Sequence, residues 1–223
     1  MKIIEYPDQD MLAMDLANSL AGELESSLFH QPTVSFAVPG GSSPGPVFDA
    51  LCAADLDWSR VHVMLTDERW VPEDHPRSNT RLIRERLLTN RAAKARLLPF
   101  YVQADDPNDV LAEITAQLVP EMPISVLLLG MGADMHTASL FPGAPGLEAA
   151  LAPDAPILLA QTPPTQNETR VTLSAHVLDG ALCKHLLITG DEKRTALEKA
   201  MSLPPEEAPI NSVLSEITVH WAP

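Results

Sequence analysis

The amino-acid sequence predicts an α/β fold in which a mostly parallel sheet is flanked by helices. Short runs of β-branched and aliphatic residues alternate along the chain with longer segments whose leucines recur every three or four positions. Repeated strand–helix–strand units of this kind form mostly parallel sheets. The chain has 223 residues, which suits one large domain, and we predict a single domain over residues 1–223.

The predicted strands are nearly continuous apolar runs, which is typical of strands covered by helices on both faces. They comprise residues 33–38, 61–66, 124–130, 157–161 and 185–190. A shorter strand is predicted over residues 169–173, and Ser174 after it is expected to cap a helix. The predicted helices comprise residues 10–29, 81–98, 109–118 and 192–201, and one more opens at Pro44.

Charge and composition exclude several classes of protein. Acidic residues outnumber basic ones by 30 to 15, and a net charge of −15 repels phosphate backbones and anionic lipids. We therefore expect neither nucleic acid nor membrane as a partner, and an anionic substrate would need a local cationic pocket. Two cysteines without zinc-binding spacing, and the lack of a membrane-length apolar run, predict a soluble cytoplasmic protein.

Ligands of parallel α/β sheets bind beyond the carboxyl ends of the strands, so the loops there are the candidates for chemistry. The loop after the first predicted strand contains Gly40 and Gly41, which let the backbone approach a ligand, and Ser42 and Ser43, which can donate hydrogen bonds. With the N–H groups of the following helix, it suits a phosphate. A tight turn capped by serine explains this loop equally well.

The loop after the second predicted strand brings charged groups to the same edge. Asp67 can accept a sugar hydroxyl or a proton, and Arg69 and Arg77 can bind a carboxylate or a phosphate. Taken alone, the loop is more typical of surface ion pairs than of a binding site, with Ser78 or Asn79 as the cap of the next helix.

A histidine and an aspartate follow the most hydrophobic predicted strand. His136 is placed to act as a general base near neutral pH, and Asp134 is close enough to orient it. Further along the chain, Arg170 and Lys193 each offer a cation to the same edge. Taken singly, His136 could be a helix cap and Arg170 part of a structural ion pair.

In their order along the chain, these segments resemble the 6-phosphogluconolactonase family. The motifs are VPGGSSP, LTDERWVP followed by SN, LLLGMGADMHTASLFPG, RVTLS and GDEK, and the resemblance spans residues 33–201. That family has a Rossmann-like α/β sheet similar to the glucosamine-6-phosphate isomerase fold. The resemblance implies hydrolysis of 6-phosphoglucono-1,5-lactone to 6-phosphogluconate, in the oxidative pentose phosphate pathway, by a monomer that needs neither metal nor organic cofactor.

The resemblance also assigns roles to residues. His136 would activate water as general base, and Asp134 would hold its imidazole. Arg69 or Arg77 would stabilise the oxyanion or hold sugar hydroxyls, and Arg69 is the one counted among the catalytic residues. Substrate and phosphate would be bound by Gly40, Gly41, Ser42, Ser43, Asp67, Arg77, Arg170 and Lys193. One residue departs from the family pattern, because Met135 stands where a glycine is expected between the aspartate and the histidine. If this position needs a positive φ, a methionine there is strained by about 1–2 kcal/mol and activity could be reduced.

Two alternatives use the same fold. Aminosugar-phosphate isomerases and deaminases resemble the chain at the phosphate loop and at Asp67, but they carry a glutamate where Phe141 stands and a tyrosine where Arg69 stands. A non-catalytic sugar-phosphate-binding relative is the other, although Asp134 and His136 are both retained. Since Phe141 cannot relay a proton, the sequence favours lactone hydrolysis.

Overall fold

The computed structural model describes residues 1–164 and 168–223. Its strands are β1 (Lys2–Glu5), β2 (Val34–Val38), β3 (Val61–Leu65), β4 (Asp67–Arg69), β5 (Arg96–Leu98), β6 (Val126–Gly130), β7 (Leu158–Gln161), β8 (Arg170–Leu173), β9 (Cys183–Thr189) and β10 (Thr218–Ala222). Its α-helices are α1 (Gln9–His30), α2 (Gly45–Leu51), α3 (Asn79–Arg86), α4 (Leu111–Leu118), α5 (Leu147–Leu151), α6 (Ala175–Asp179) and α7 (Asp191–Ala200).

Two sheets organise these elements. The larger has seven strands in the order β1-β10-β9-β6-β2-β3-β5, and every neighbouring pair is parallel. The smaller is antiparallel, in the order β4-β8-β7. Since β4 follows β3 after a single residue, the small sheet begins at the carboxyl edge of the large one. It is therefore placed to form a wall beside a ligand bound at that edge.

Helix α1 shows how the sequence determines an element of the fold. The side chain of Asp8 accepts a hydrogen bond of 2.8 Å from the backbone N–H of Met11 and so caps the helix. Its buried leucines recur every four residues and form one face packed into the core: Leu12, Leu16, Leu20, Leu24 and Leu28. Among the helices of the described ranges, none is both long enough and apolar enough to cross a lipid bilayer.

The predicted helix over residues 81–98 is wrong in its second half. Helix α3 ends at Arg86, a 3-10 turn follows, and residues 96–98 form β5 beside β3. Asn90 has a φ of 50°, in the left-handed region that ends a right-handed helix. The leucine pattern continues across this break because Leu98 faces the core from a strand, and the spacing alone does not show the change of element.

The strands predicted over residues 157–161 and 169–173 belong to a different sheet from the one expected. Strands β7 and β8 pair antiparallel with each other and with β4, outside the parallel sheet. Besides β5, two more strands of the parallel sheet, β1 and β10, were not predicted. Strand β1 has only four residues, and β10 begins with alternating polar and apolar residues, so neither contains a long apolar run.

A chain of hydrogen bonds surrounds His220 of β10. Glu23 Oε2 lies 2.7 Å from His185 Nε2, and His185 Nδ1 lies 2.9 Å from His220 Nε2. His220 Nδ1 lies 2.9 Å from the hydroxyl of Tyr6, which donates to Asp15 at 2.7 Å. Burial and the neighbouring charge of His185 lower the pKa of His220 to about 4. The chain therefore links α1 to β9 and β10 through buried polar groups.

Candidate active site

The structure brings most of the predicted site residues together around one cleft. The cleft, of about 250 Å³, opens at the carboxyl ends of β2, β6 and β9. The predicted residues that line it are Gly40, Gly41, Ser42, Ser43, Asp67, Arg69, His136, Arg170 and Lys193. Asp134 adjoins the cleft through its contact with His136. These groups meet because strands that are distant in sequence end at the same edge of the parallel sheet.

His136 and Asp134 form a pair at the mouth of the cleft. Nδ1 of His136 lies 2.5 Å from Oδ1 of Asp134, and the backbone N–H of His136 donates to the same oxygen at 3.3 Å. Burial raises the pKa of Asp134, but the hydrogen bonds and charge of His136 outweigh it, so this pKa lies below its usual value. An ionised Asp134 holds the proton of the neutral imidazole on Nδ1, which leaves the lone pair on Nε2.

Gly132 makes room for this pair. A Cβ atom at residue 132 would lie 2.2 Å from Nδ1 of His136 and 2.4 Å from Oδ1 of Asp134. Any side chain would therefore displace the pair. The sequence contains a signal for this requirement, the second glycine of Gly130-Met131-Gly132, but residue 132 was not among the predicted site residues.

Met135 has a φ of 67°, so the positive φ considered from the sequence is present. Its backbone N–H donates to the carbonyl of Gly132 at 2.9 Å, and its carbonyl accepts from Ile210 at 3.1 Å. These two bonds hold the turn between Asp134 and His136 in the left-handed region despite the methionine side chain. The turn therefore carries strain next to the catalytic candidate.

We expect Met135→Gly to be more stable than Met135→Ala by about 1 kcal/mol, because alanine keeps the Cβ that the left-handed backbone disfavours. The comparison removes the same side-chain packing in both variants. Ala133 is an exposed neighbour without a positive φ, so the wild type should be more stable than Ala133→Gly by roughly 0.5–1 kcal/mol. Urea unfolding of the four proteins measures both differences. Equal stability of the two Met135 variants would show that the turn is not strained.

Two arginines face the cleft from the antiparallel sheet. Arg69 in β4 and Arg170 in β8 are cross-strand partners, so their side chains lie on the same face of that sheet. Asp67 partly offsets their charge, with Oδ2 at 3.9 Å from Nη1 of Arg170 and at 2.6 Å from the donating hydroxyl of Ser139. Burial lowers the pKa of Arg170, but the usual value is so high that the group stays charged. The arrangement leaves this wall cationic.

Arg77 occupies a different position from the other predicted cations. Its guanidinium pairs with Glu168 at 3.0 Å, its side chain is 48% exposed, and it is not among the residues that line the cleft. Its backbone carbonyl accepts a hydrogen bond of 2.6 Å from Nη1 of Arg69. Arg77 therefore acts on the site indirectly, because its backbone carbonyl holds the side chain of Arg69.

Glu68 is a residue that sequence reasoning missed. It is fully buried, and its carboxylate accepts four hydrogen bonds, which bind the start of α3 to β4. The donors are the backbone N–H groups of Arg69 (2.7 Å), Asn79 (2.8 Å) and Thr80 (2.7 Å) and the hydroxyl of Ser78 (3.0 Å). Burial raises the pKa of Glu68, and the bonds from Asn79 and Thr80 oppose that effect.

Asn79, which Glu68 holds in place, lines the cleft. Its side-chain amide donates to the carbonyl of Asp67 at 2.8 Å, and a Cβ atom at Gly40 would lie 1.9 Å from its Oδ1. Gly40 is therefore needed for close approach to Asn79. The sequence prediction of a cap is confirmed for Ser78, whose hydroxyl accepts from the N–H of Arg81 at 3.2 Å.

A cationic cleft and an aspartate–histidine pair thus lie together at the carboxyl edge of a parallel α/β sheet, an arrangement that suits an anionic ligand and acid–base chemistry. The chain belongs to the family described as glucosamine-6-phosphate isomerases/6-phosphogluconolactonase, whose model matches residues 7–221. The resemblance seen in the sequence is thereby confirmed.

Individual relatives agree with this assignment. A 6-phosphogluconolactonase of Pseudomonas aeruginosa is 41% identical over 216 residues, which are 95% of this chain and 90% of the relative. One of Mesorhizobium japonicum is 39% identical, with coverage of 98% and 94%. The crystal structure of a 6-phosphogluconolactonase from Shewanella baltica has a TM-score of 0.96 and 31% identity, covering 100% of this chain and 98% of its own. A monomeric glucosamine-6-phosphate deaminase shares the fold, with a TM-score of 0.83 at 17% identity and coverage of 100% and 97%. The predicted fold class is confirmed.

Proposed function

We propose that this protein is a 6-phosphogluconolactonase, which hydrolyses 6-phosphoglucono-1,5-lactone to 6-phosphogluconate. The observation that carries the proposal is the Asp134–His136 pair at the mouth of a cleft lined by Arg69, Arg170 and Lys193. A general base beside several cations suits a substrate that has an electrophilic carbonyl at one end and a phosphate at the other. The near-complete coverage of relatives that bear this name supports the same activity.

In the proposed mechanism, Nε2 of His136 takes a proton from a water molecule as its oxygen attacks the lactone carbonyl carbon. Asp134 holds the imidazole through Nδ1 and stabilises the imidazolium. The carbonyl oxygen becomes an oxyanion that Arg69 stabilises. When the tetrahedral intermediate collapses, the bond from carbon to the ring oxygen breaks and the imidazolium gives its proton to that oxygen. The product is the open-chain hydroxy acid, and no step uses a metal or an organic cofactor.

We assign the phosphate to the loop that follows β2, together with Arg170 and Lys193. The loop from Gly40 to Ser43 offers backbone N–H groups and hydroxyls, and Lys193 on the first turn of α7 and Arg170 supply positive charge. These cations also explain how a protein with a net charge of −15 can bind an anion. Remote acidic groups are screened beyond about 8 Å at physiological salt, whereas the charges lining the cleft are not.

We expect Lys193→Ala and Arg170→Ala each to raise KM by roughly 10-fold or more while lowering kcat less. A phosphate anchor acts on the ground state and the transition state alike, and a charged hydrogen bond is worth about 1.5–3 kcal/mol. Lys199, an exposed lysine of the same helix, is the matched control, and Lys199→Ala should leave KM unchanged. Steady-state kinetics decide the point, since an unchanged KM in both cleft variants would place the phosphate elsewhere.

The proposed activity is tested by generating the phosphorylated lactone in situ and following its loss with and without the protein, corrected for spontaneous hydrolysis. Acceleration supports the proposal. Binding of 6-phosphogluconate without any acceleration would instead indicate a non-catalytic relative. An aminosugar-phosphate isomerase is disfavoured because Phe141 has no titratable group to offer. We also propose a cytoplasmic location, which the two unpaired cysteines support, and the monomeric state stays a prediction.

A further inference from the structure

Phe141 contacts two polar side chains of the site, His136 and Arg170. Its ring centroid is 4.3 Å from that of the His136 imidazole, and the two ring planes meet at 28°. Cζ of Arg170 lies 5.2 Å from the centroid of the same phenyl ring. Phe141 is only 8% exposed, and Arg170 is 6% exposed. The phenyl ring therefore packs against both the candidate base and a cation that lines the cleft.

Several hydrogen bonds hold the segment that carries Phe141. The hydroxyl of Ser139 donates to Asp67 at 2.6 Å, and its N–H donates to the hydroxyl of Thr172 at 3.1 Å. The carbonyl of Phe141 accepts from the N–H of Ala144 at 3.1 Å. The imidazole, by contrast, belongs to a side chain that is 29% exposed and bound by Asp134 at Nδ1. The phenyl ring thus offers a fixed surface against which the imidazole can settle.

The position of the Phe141 ring matters because of the positive charges that its two neighbours carry or gain. An aromatic face is negative and attracts cations, with about 0.5–1 kcal/mol at an exposed site. His136 becomes a cation when it takes the proton from water, whereas Arg170 is a cation throughout. The other charged groups around the imidazole are Asp134 on Nδ1 and Asp67, Arg69 and Lys193 in the lining of the cleft. One aromatic ring in contact with both groups can stabilise the positive charge of each.

We propose that Phe141 is a positioning residue of the hydrolysis, which holds the His136 imidazole towards the cleft and stabilises its protonated form beside Arg170. The catalytic role of Phe141 rests on the proposed function, but its contact with the His136 imidazole can be tested without any substrate. It differs from a packing role because it requires an aromatic ring at residue 141. A side chain that merely fills the space would not replace it.

Three variants separate these possibilities. Phe141→Leu removes the ring, Phe141→Tyr retains it, and Phe100→Leu removes a ring that is fully buried but is not among the residues that line the cleft. All three are first compared with the wild type by urea unfolding, so that later readouts refer to folded protein. The imidazole signal of His136 is then followed by NMR as a function of pH, and it is assigned by its absence from the spectrum of His136→Gln.

We expect the midpoint of that titration to move by about half a pH unit towards acid in Phe141→Leu, since the cation–π attraction to the imidazolium is lost. The acidic limb of kcat/KM should move with it, and kcat should fall roughly 10-fold because the imidazole is less well oriented. Phe141→Tyr and Phe100→Leu should both keep the wild-type midpoint. An unchanged midpoint in Phe141→Leu, or an equal shift in Phe141→Tyr, would overturn the proposal. If the wild type fails to hydrolyse the lactone, the proposed function fails, and the NMR titration still decides the role of the ring.

Discussion

His136→Ala is expected to lower kcat by a factor of about 100 or more while KM stays nearly unchanged. The imidazole is the group that accepts the proton from water and later returns it to the ring oxygen, so its loss affects both halves of the proposed reaction. In the proposed mechanism, substrate binding depends mainly on the phosphate loop, Arg170 and Lys193, which the substitution leaves in place. Steady-state kinetics with the lactone generated in situ measure both constants.

His30→Ala serves as the control for this experiment, because His30 is an exposed histidine at the last position of α1. It should retain wild-type kcat and KM. A His136→Ala protein with near-normal turnover would remove the histidine from the mechanism and leave the cationic groups as the source of any acceleration. A large rise in KM with an unchanged kcat would likewise contradict the proposed role, because it would make His136 a binding residue.

Glu68→Gln is expected to lower the free energy of unfolding by about 2–4 kcal/mol. The carboxylate accepts from two donors at each oxygen, whereas the glutamine amide presents an NH₂ group to one of these pairs. Two buried donors then face a third donor and lose their partner, and each such loss costs about 1–3 kcal/mol. Urea denaturation measures the difference.

Glu85→Gln is the matched substitution, in the helix whose start Glu68 binds. Glu85 pairs with Arg81 on the exposed face of α3, where an ion pair contributes about 0.5 kcal/mol or less. Its stability should therefore stay close to that of the wild type. If Glu68→Gln were equally stable, the four bonds at the start of α3 would not be needed to hold Asn79 and Arg69 in the cleft.

The sequence predicts the parts of the fold in which local pattern and tertiary environment agree. Strands β2, β3, β6 and β9 lie in the middle of the parallel sheet with both faces covered, so their apolar runs stand out. Pattern fails at β5, where the leucine spacing of α3 continues into a strand, and at β10, whose buried histidine has partners on other elements. The local sequence also does not show which strands pair with each other, which is why β7 and β8 were placed in the wrong sheet.

The same distinction applies to the site. Loops after parallel strands reach one edge whatever their sequence separation, so the sequence suffices to bring His136, Asp67 and Lys193 together. Glu68 and Phe141 have roles that depend on contacts across elements: a carboxylate that binds backbone N–H groups of another segment, and a ring stacked on a side chain five residues earlier. Neither contact can be recognised from the composition of the sequence or the spacing of its residues.

The hydrogen-bonded chain from Glu23 to Asp15 needs a definite number of hydrogen atoms. Four contacts require four hydrogens, but neutral His185, His220 and Tyr6 supply only three, and ionised carboxylates supply none. The chain is complete only when it holds one more proton. Because the lowered pKa of His220 keeps that ring neutral at neutral pH, one of its nitrogens donates and the other accepts. Helix α1 therefore docks on the sheet through a hydrogen-bonded chain whose order of donors and acceptors is set from its Tyr6 end, where the hydroxyl donates to Asp15.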